Sequence, residues 1–171
     1  MTIWFSADFH LNHANIIKYC KRPFSDINEM NEEIIRRWNS RVDHNDTGYI
    51  LGDFCFGDPC KYYNRLNGIV YILPGSHDKD LRGIPPEFIL PPIYTLKLDP
   101  FITLCHYAMR SWSRSHFASW HLFGHHHGKL EPYGLSFDIG VDAWNFYPVS
   151  LDEVAKKMAT LKPIVDFRAS K

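Results

Sequence analysis

Short apolar segments that end in glycine or in a polar residue recur along the chain. Their length and their content of β-branched and aromatic residues are typical of buried β-strands. Two of the later segments flank Asp99-Pro100 and predict a hairpin. The predicted strands are 2–7, 49–51, 69–73, 93–98, 101–105, 120–123 and 135–141.

Apolar residues at helical spacing predict two amphipathic helices. Asp26 and Glu29 have the spacing of a capping box, and the apolar positions that follow continue to about Ser40. Ser150 and Glu153 form a second such pair before the last helix, which Pro163 ends. Two shorter helices are predicted at 13–20, with Asn12 as a candidate cap, and at 59–66.

The order of these elements predicts an α/β fold. Strands alternate with helices early in the chain and follow one another later, which indicates two packed sheets with helices outside. No linker or repeat interrupts the pattern, so we expect a single domain over residues 1–171. In α/β sheets, sites form at the carboxyl ends of strands, and here those ends carry the polar residues.

Charge and composition argue against some classes of protein. The 19 basic residues balance the 19 acidic ones, which argues against a broad electrostatic binder of nucleic acid. No apolar run is long enough to span a bilayer, so we expect no membrane partner. The start of the chain lacks the features of a secretory signal, and we therefore expect a cytoplasmic protein.

The cysteines and the histidines have different expected roles. The four cysteines form no C-x-x-C pair, and we expect them to be reduced and to pack as small apolar residues. The ten histidines lie mostly beside glycine or aspartate, which is a pattern of sites and not of helix faces. The cysteines are Cys20, Cys55, Cys60 and Cys105.

Five polar blocks follow predicted strands and carry metal-ligand side chains. Each block alone is ordinary turn or cap chemistry, but their joint occurrence after successive strands indicates one site. In extended backbone, alternate side chains point the same way, so Asp8 and His10 should converge, as should His125 and His127, while His126 points away. The blocks are Asp8-Phe9-His10, Gly52-Asp53, Gly75-Ser76-His77-Asp78, His106 and Gly124-His125-His126-His127.

These blocks resemble the ordered signature of the calcineurin-like metallophosphoesterases. That signature reads D-x-H, G-D, G-N-H-D, H and G-H-x-H, and four of the five blocks are intact and in order here. Residues 10–17, HLNHANII, also look like a small bacterial and phage branch of the family. The resemblance covers essentially the whole chain.

The resemblance implies a four-layer α/β-β/α sandwich, formed by two mixed sheets flanked by helices, with two divalent metal ions at one end. It places Asp8, His10, Asp53 and His127 on the first ion. It makes Asp53 the bridge to the second ion, which Ser76, His106 and His125 would also hold.

The resemblance also implies how the site works. Water activated between the ions would attack a phosphodiester or phosphomonoester, with His77 donating to the leaving oxygen and Asp78 orienting His77. Mixed imidazole and carboxylate ligands favour Mn²⁺, with Fe, Zn, Ni or Mg as alternatives.

Position 76 departs from the signature, because serine replaces the asparagine whose amide oxygen is a family ligand. A serine hydroxyl is shorter and a poor neutral ligand at that reach. Three interpretations stay open: a water fills the gap, the second ion is weakly held, or the residue was changed to lower activity.

Residues near the blocks are candidates for substrate contact. We favour His13 for this role, with the start of a helix as its alternative, and Asn12 is an equally good N-cap. Arg110 suits a phosphate group and Trp112 could stack on a ring, but a solvated surface loop is an equal alternative.

The leading function is therefore hydrolysis of a small phosphate ester, with nucleotides among the candidates, by a monomer or small homo-oligomer. A second hypothesis keeps the fold as a metal-binding scaffold that Ser76 has disabled. A third is a nucleic-acid-binding module with structural zinc, which the zero net charge and the absence of C-x-x-C pairs disfavour.

Overall fold

The alternating apolar segments fold into two sheets of four strands each. The computed structural model describes residues 1–164. Strands β1 to β4 are Ile3–Ser6, Thr47–Leu51, Ile69–Leu73 and Ile93–Leu96, and β5 to β8 are Ile102–Cys105, Trp120–Phe123, Ser136–Asp138 and Val149–Ser150.

Both sheets are mixed. The first has the order β3-β2-β1-β8, in which β1, β2 and β3 run parallel and β8 is antiparallel to β1. The second has the order β4-β5-β6-β7, in which β4 is antiparallel to β5 and the other pairs are parallel. The predicted fold class, two mixed sheets flanked by helices, is confirmed. Parallel strands also bring their carboxyl ends to one edge of each sheet.

Four α-helices accompany the sheets. They are α1 (Ala14–Tyr19), α2 (Ile27–Asn39), α3 (Cys60–Tyr63) and α4 (Leu151–Met158). Single 3₁₀ turns occur at Pro86–Phe88, Ser115–Phe117 and Val141–Ala143. Among the described residues, no helix has the length and apolar character needed to cross a membrane.

Helix caps test the local predictions. Asp26 caps α2 as predicted, but the Glu29 carboxylate turns to the main-chain N–H of Ser25 and does not complete the box. Ser150 and Glu153 form the full reciprocal capping box of α4. The expectation that Asn12 caps α1 is wrong: its side-chain amide donates to the main-chain oxygen of Phe56 at 3.0 Å.

Alternate residues of the first sheet are buried in two separate hydrophobic cores. Ile50 and Ile72 face helix α2, where Trp38 is fully buried. Leu51 and Leu73 face the other way and pack with apolar residues of the second sheet. The two sheets are thereby packed face to face.

Some predicted bounds differ from those observed. The strands at 69–73 and 120–123 match, whereas the predicted strand 135–141 and helix 59–66 are each shortened to a few residues. Strand β8 was not predicted, because two residues are too few to show a period. All four cysteines are free; Cys55 and Cys105 are buried as expected, and Cys20 and Cys60 are only partly buried.

His121 in β6 fixes the loop that follows β5. Its Nδ1 donates to the Thr103 carbonyl at 3.0 Å, and its Nε2 accepts the N–H of Met109 at 3.2 Å. The ring is completely buried, and this burial lowers the pKa of His121 to about 4. The neutral ring therefore links the two strands to the segment after His106.

We expect the free energy of unfolding to fall as pH drops from about 6.5 towards 4. In this window the unfolded chain protonates His121 and the folded chain does not, so stability that is present above pH 6.5 is lost. The contribution approaches about 1.4 kcal/mol per pH unit. The free energy of unfolding can be measured by urea unfolding of metal-free protein across this pH range. Its slope against pH should be shallower for His121→Asn than for wild type. Equal slopes in the two proteins would contradict this role.

Candidate metal centre

The predicted ligands lie at the carboxyl ends of five strands. Asp8 follows β1, Asp53 follows β2, Ser76 follows β3, and His106 follows β5. His125 and His127 come after β6. A main-chain bridge between Ala7 and Gly140 joins the two sheets at this end. The polar blocks therefore meet at one edge of the sandwich, as their positions after strands predict.

The ligand loops do not have the extended backbone expected of them. Positive φ angles occur at Asp8 (59°), His10 (50°), Asp53 (52°), His125 (69°) and His127 (51°). Non-glycine residues in this left-handed region are uncommon and strained. Asp8 and His10 do converge, but left-handed turns and not extended backbone bring them together. The expected convergence of His125 with His127 is wrong, because the two side chains lie in different groups of candidate metal ligands.

The side chains form two groups that could each hold a metal ion. Asp8, His10 and His127 form the first group, and Asp53, His106 and His125 form the second. Within each group, the candidate ligand atoms lie within 4.8 Å of one another. His125 and His127 thus belong to different groups, and His126 belongs to neither.

Asp53 connects the two groups. Its Oδ2 atom lies 3.5 Å from His10 Nε2 in the first group and 3.4 Å from His106 Nε2 in the second. Asp53 is therefore the carboxylate that lies within reach of histidines of both groups.

Buried imidazole nitrogens show that the groups fit divalent cations. His10 Nε2 and His106 Nε2 are inaccessible to solvent and make no hydrogen bond within the described part of the chain. A buried nitrogen without a partner is costly. A metal ion would satisfy both atoms, and mixed imidazole and carboxylate donors suit first-row transition metals.

The pKa shifts agree with this donor set. Asp8 is completely buried, and burial raises its pKa to about 7. Burial also lowers the pKa of His10 to about 3, which keeps a lone pair on the ring at neutral pH. Burial acts to raise the pKa of Asp53 as well, but contact with His106 and its charge lower it below the ordinary range. A cation would remove the penalty that burial places on Asp8.

Two histidines are oriented by partners behind them. His106 Nδ1 donates to the Leu51 carbonyl at 2.8 Å, which leaves Nε2 directed at Asp53. His127 Nδ1 lies 2.7 Å from a carboxylate oxygen of Asp142. Such partners fix the tautomer and direction of metal-binding histidines.

Arg22 holds Asp142 and the first ligand loop together. Its Nε and Nη2 atoms donate to the two Asp142 oxygens at 2.9 and 2.8 Å. Nη2 also donates to the Asp8 carbonyl at 2.7 Å, and Nη1 donates to the Phe9 carbonyl at 2.9 Å. No sequence pattern indicates this pairing, because 120 positions separate Arg22 from Asp142.

A third group of side chains with metal-ligand chemistry consists of Cys20, His127 and Asp142. It shares His127 with the first group, and its Asp142 is the residue that contacts His127 and Arg22. Both Asp142 oxygens already accept from Arg22. Burial raises the pKa of the Cys20 thiol, so it is not a thiolate at neutral pH. We assign Asp142 to orientation of His127.

Ser76 contacts Asp53 and lies in neither group. Its hydroxyl donates to Asp53 Oδ2 at 3.0 Å, and the next main-chain N–H, of His77, donates to Oδ1 at 2.8 Å. That Ser76 ligates a metal stays a prediction.

His77 is exposed beside the first group. Its ring centroid lies 5.5 Å from that of His10 and 5.4 Å from that of Phe56. Asp78 does not orient it: the Asp78 carboxylate accepts the main-chain N–H groups of Asp53, Phe54 and Gly75, and the described residues show no hydrogen bond to the His77 ring. This part of the expected arrangement is therefore corrected, and Asp78 instead joins the loops after β2 and β3.

The remaining candidates are spread around the site. His13 lies beside His10, with their Nδ1 atoms 3.4 Å apart. Arg110 is exposed and stacks on the ring of Tyr133, and within residues 1–164 no contact links it to the two groups. Trp112 is buried and donates to the Ser119 carbonyl, so its predicted availability for stacking is wrong. Substrate contact by His13, Asn12 and Arg110 stays a prediction.

Comparison with known proteins places the chain beside an archaeal relative. No model of a known protein family matches it. Uncharacterized protein MJ1445 of Methanocaldococcus jannaschii is 34% identical over an alignment of 176 positions. The alignment covers 90% of this chain and 89% of that protein. The chain belongs to the family of this archaeal protein.

Solved structures extend the likeness to the fold. The crystal structure of AQ665, a protein of unknown function from Aquifex aeolicus, has a TM-score of 0.72 at 20% identity and covers 91% of this chain and 98% of that one. A single mutant of Vps29 from Entamoeba histolytica has a TM-score of 0.43 at 17% identity, covering 82% of this chain and 73% of that one. The first likeness shows that the two-sheet fold is shared.

Removal of the Asp142 carboxylate should weaken metal binding without unfolding the chain. In Asp142→Asn, the charge that favours the correct His127 tautomer is lost, and such changes typically lower affinity about 10- to 100-fold. Titration of metal-free protein with Mn²⁺ in a calorimeter checks this. Asp152→Asn, an exposed change of the same kind on α4, is the control and should bind as wild type does. Equal affinities in all three proteins would contradict the role of Asp142.

Proposed function

We propose that this chain is a metal-dependent phosphoesterase that hydrolyses a small phosphodiester or phosphomonoester at the two ligand groups. The observation that carries the proposal is the position of Asp53, whose carboxylate belongs to the second three-residue group and also lies 3.5 Å from His10 of the first. All members of these groups lie in blocks that resemble the signature of the calcineurin-like metallophosphoesterases, and this resemblance supports the proposed reaction class.

Asp8, His10, Asp53 and His127 would hold one divalent cation, and Asp53, His106 and His125 would hold the other. Two such ions, when bound, supply Lewis acidity towards phosphoryl oxygens and lower the pKa of water. Mn²⁺ is the cation we expect, with Fe, Zn, Ni or Mg as alternatives.

The chain's own residues prepare the site for this chemistry. Partners behind His106 and His127 hold these rings, and a main-chain N–H holds the Asp53 carboxylate, so little reorganisation is needed when substrate binds. His77 stands at the surface next to the first group, where its ring can give a proton or a hydrogen bond to the leaving oxygen. The exposed Tyr107 ring flanks the second group. Its centroid lies 4.9 Å from the ring centroid of His106 and 4.8 Å from that of His125.

The proposal includes the wider expectations drawn from the sequence. The substrate is a small phosphate ester, with nucleotides as candidates, and the protein acts in the cytoplasm as a monomer or small homo-oligomer. Balanced charge supports a small substrate over a long nucleic acid.

Hydrolysis of a chromogenic phosphodiester, bis(p-nitrophenyl) phosphate, tests the proposal. Purified protein is stripped of metal and then titrated with Mn²⁺, and turnover should rise with occupancy. Asp53→Asn should lose at least about 100-fold, because it removes the charge shared by both groups. Asp43→Asn, an exposed change of the same kind, should keep wild-type turnover. A wild-type protein that binds Mn²⁺ but shows no turnover would favour the scaffold hypothesis.

Ser76→Asn should raise both second-site occupancy and turnover relative to the chain that carries Ser76. The amide oxygen reaches further than the Ser76 hydroxyl, which now donates to Asp53. Metal content after gel filtration and turnover at saturating Mn²⁺ are the two measurements. Equal metal content and equal turnover in the two proteins would show that Ser76 is not a weakness of the site.

A further inference from the structure

His10 has one nitrogen in the metal groups and the other against His13. Its buried Nε2 lies 3.5 Å from Asp53 Oδ2 and has no hydrogen-bond partner among the described residues. Its Nδ1 lies 3.4 Å from Nδ1 of His13. The two ring nitrogens therefore have separate tasks.

A neutral imidazole carries one proton, and its position decides whether Nε2 can bind a metal. For His10 to present a lone pair at Nε2, the proton must be on Nδ1. The neighbour of that Nδ1–H must then be an acceptor, and the nitrogen that faces it is His13 Nδ1. His13 can accept only when its own proton is on Nε2.

His13 is held in place for this contact. Its ring stacks on Phe56 with centroids 4.1 Å apart and an interplanar angle of 27°. Its main-chain N–H donates to the His10 carbonyl at 3.1 Å, which closes the turn between the two histidines. The main-chain N–H of Leu11 donates to the Phe54 carbonyl, and the N–H of Phe56 donates to the Leu11 carbonyl. These two hydrogen bonds join the same turn to the loop of Asp53.

We propose that His13 is a positioning residue, which selects the Nδ1–H tautomer of His10 and so presents His10 Nε2 to the first metal ion. The inference rests on the proposed metal centre and gives His13 a task other than substrate contact. His127 is oriented by Asp142 and His106 by Leu51, and His13 would complete the same arrangement for His10.

The test begins on metal-free protein, where no activity is involved. Long-range ¹H–¹⁵N correlation spectra of histidine-labelled protein at pH 7.5 report the tautomer of each ring. Wild type should show His10 as the Nδ1–H form. His13→Leu removes the acceptor and should move His10 towards the Nε2–H form that free imidazole side chains favour. His13→Asn places an amide oxygen where Nδ1 lies and should retain the wild-type tautomer.

Calorimetric titration of the same proteins with Mn²⁺ is the second readout. His13→Leu should weaken binding at one site by about tenfold, and His13→Asn should restore most of it. His77→Leu is the matched control, because it removes another ring near His10 that makes no hydrogen bond to it; its His10 tautomer should equal that of wild type.

The outcomes separate this inference from the proposed function. An unchanged His10 tautomer in His13→Leu overturns the inference, and so does an equal loss in the Leu and Asn variants, which would indicate packing and not hydrogen bonding. Absence of Mn²⁺ binding in wild type would refute the metal centre, whereas Mn²⁺ binding without turnover would refute only the hydrolase.

Discussion

The burial of two carboxylates among imidazoles that each leave one nitrogen without a partner is the constraint on which the rest of this structure depends. Asp8 and Asp53 are almost completely inaccessible to solvent, and both face His106. Neither the Nε2 atom of His10 nor that of His106 has a hydrogen-bond partner within the described residues. Such an arrangement is unfavourable for an apolar core and favourable for cations, so the fold is stable around this site only if other interactions hold it in place.

Those other interactions are main-chain contacts made by side chains behind the ligands. Arg22 donates to the carbonyls of Asp8 and Phe9, while the Asp78 carboxylate accepts three main-chain N–H groups from the loops after β2 and β3. Close packing adds to this: at Gly52, with φ of 83°, a Cβ would lie 2.5 Å from the Gly75 Cα. The strained left-handed turns are thus fixed from both sides, which is how strain persists at functional sites.

The sequence predicted which side chains meet at this edge of the sandwich better than it predicted the interactions that support them. Strands such as β3 could be recognised because an apolar run stops at a proline or glycine, and the ligands follow directly. The role of Asp142 could not be predicted, because it depends on Arg22, far away in the chain, and neither residue lies in a recognisable motif. Asp78 was misassigned for a related reason: proximity in sequence to His77 says nothing about the direction of its carboxylate, which the two β-loops determine.

The support of the two groups is unequal, and this inequality bears on Ser76. Behind the first group stand Asp142 at His127 and His13 at His10, in addition to Arg22. Behind the second, the Leu51 carbonyl orients His106, but the described residues show no hydrogen bond to the His125 ring, and Ser76 contributes only a hydroxyl that points to Asp53. A site that lacks such partners binds metal less tightly. We therefore expect the weakness inferred from Ser76 to extend to the second group beside it, since the His125 ring is placed by contacts with the rings of Tyr107 and His106 and by no hydrogen bond among the described residues.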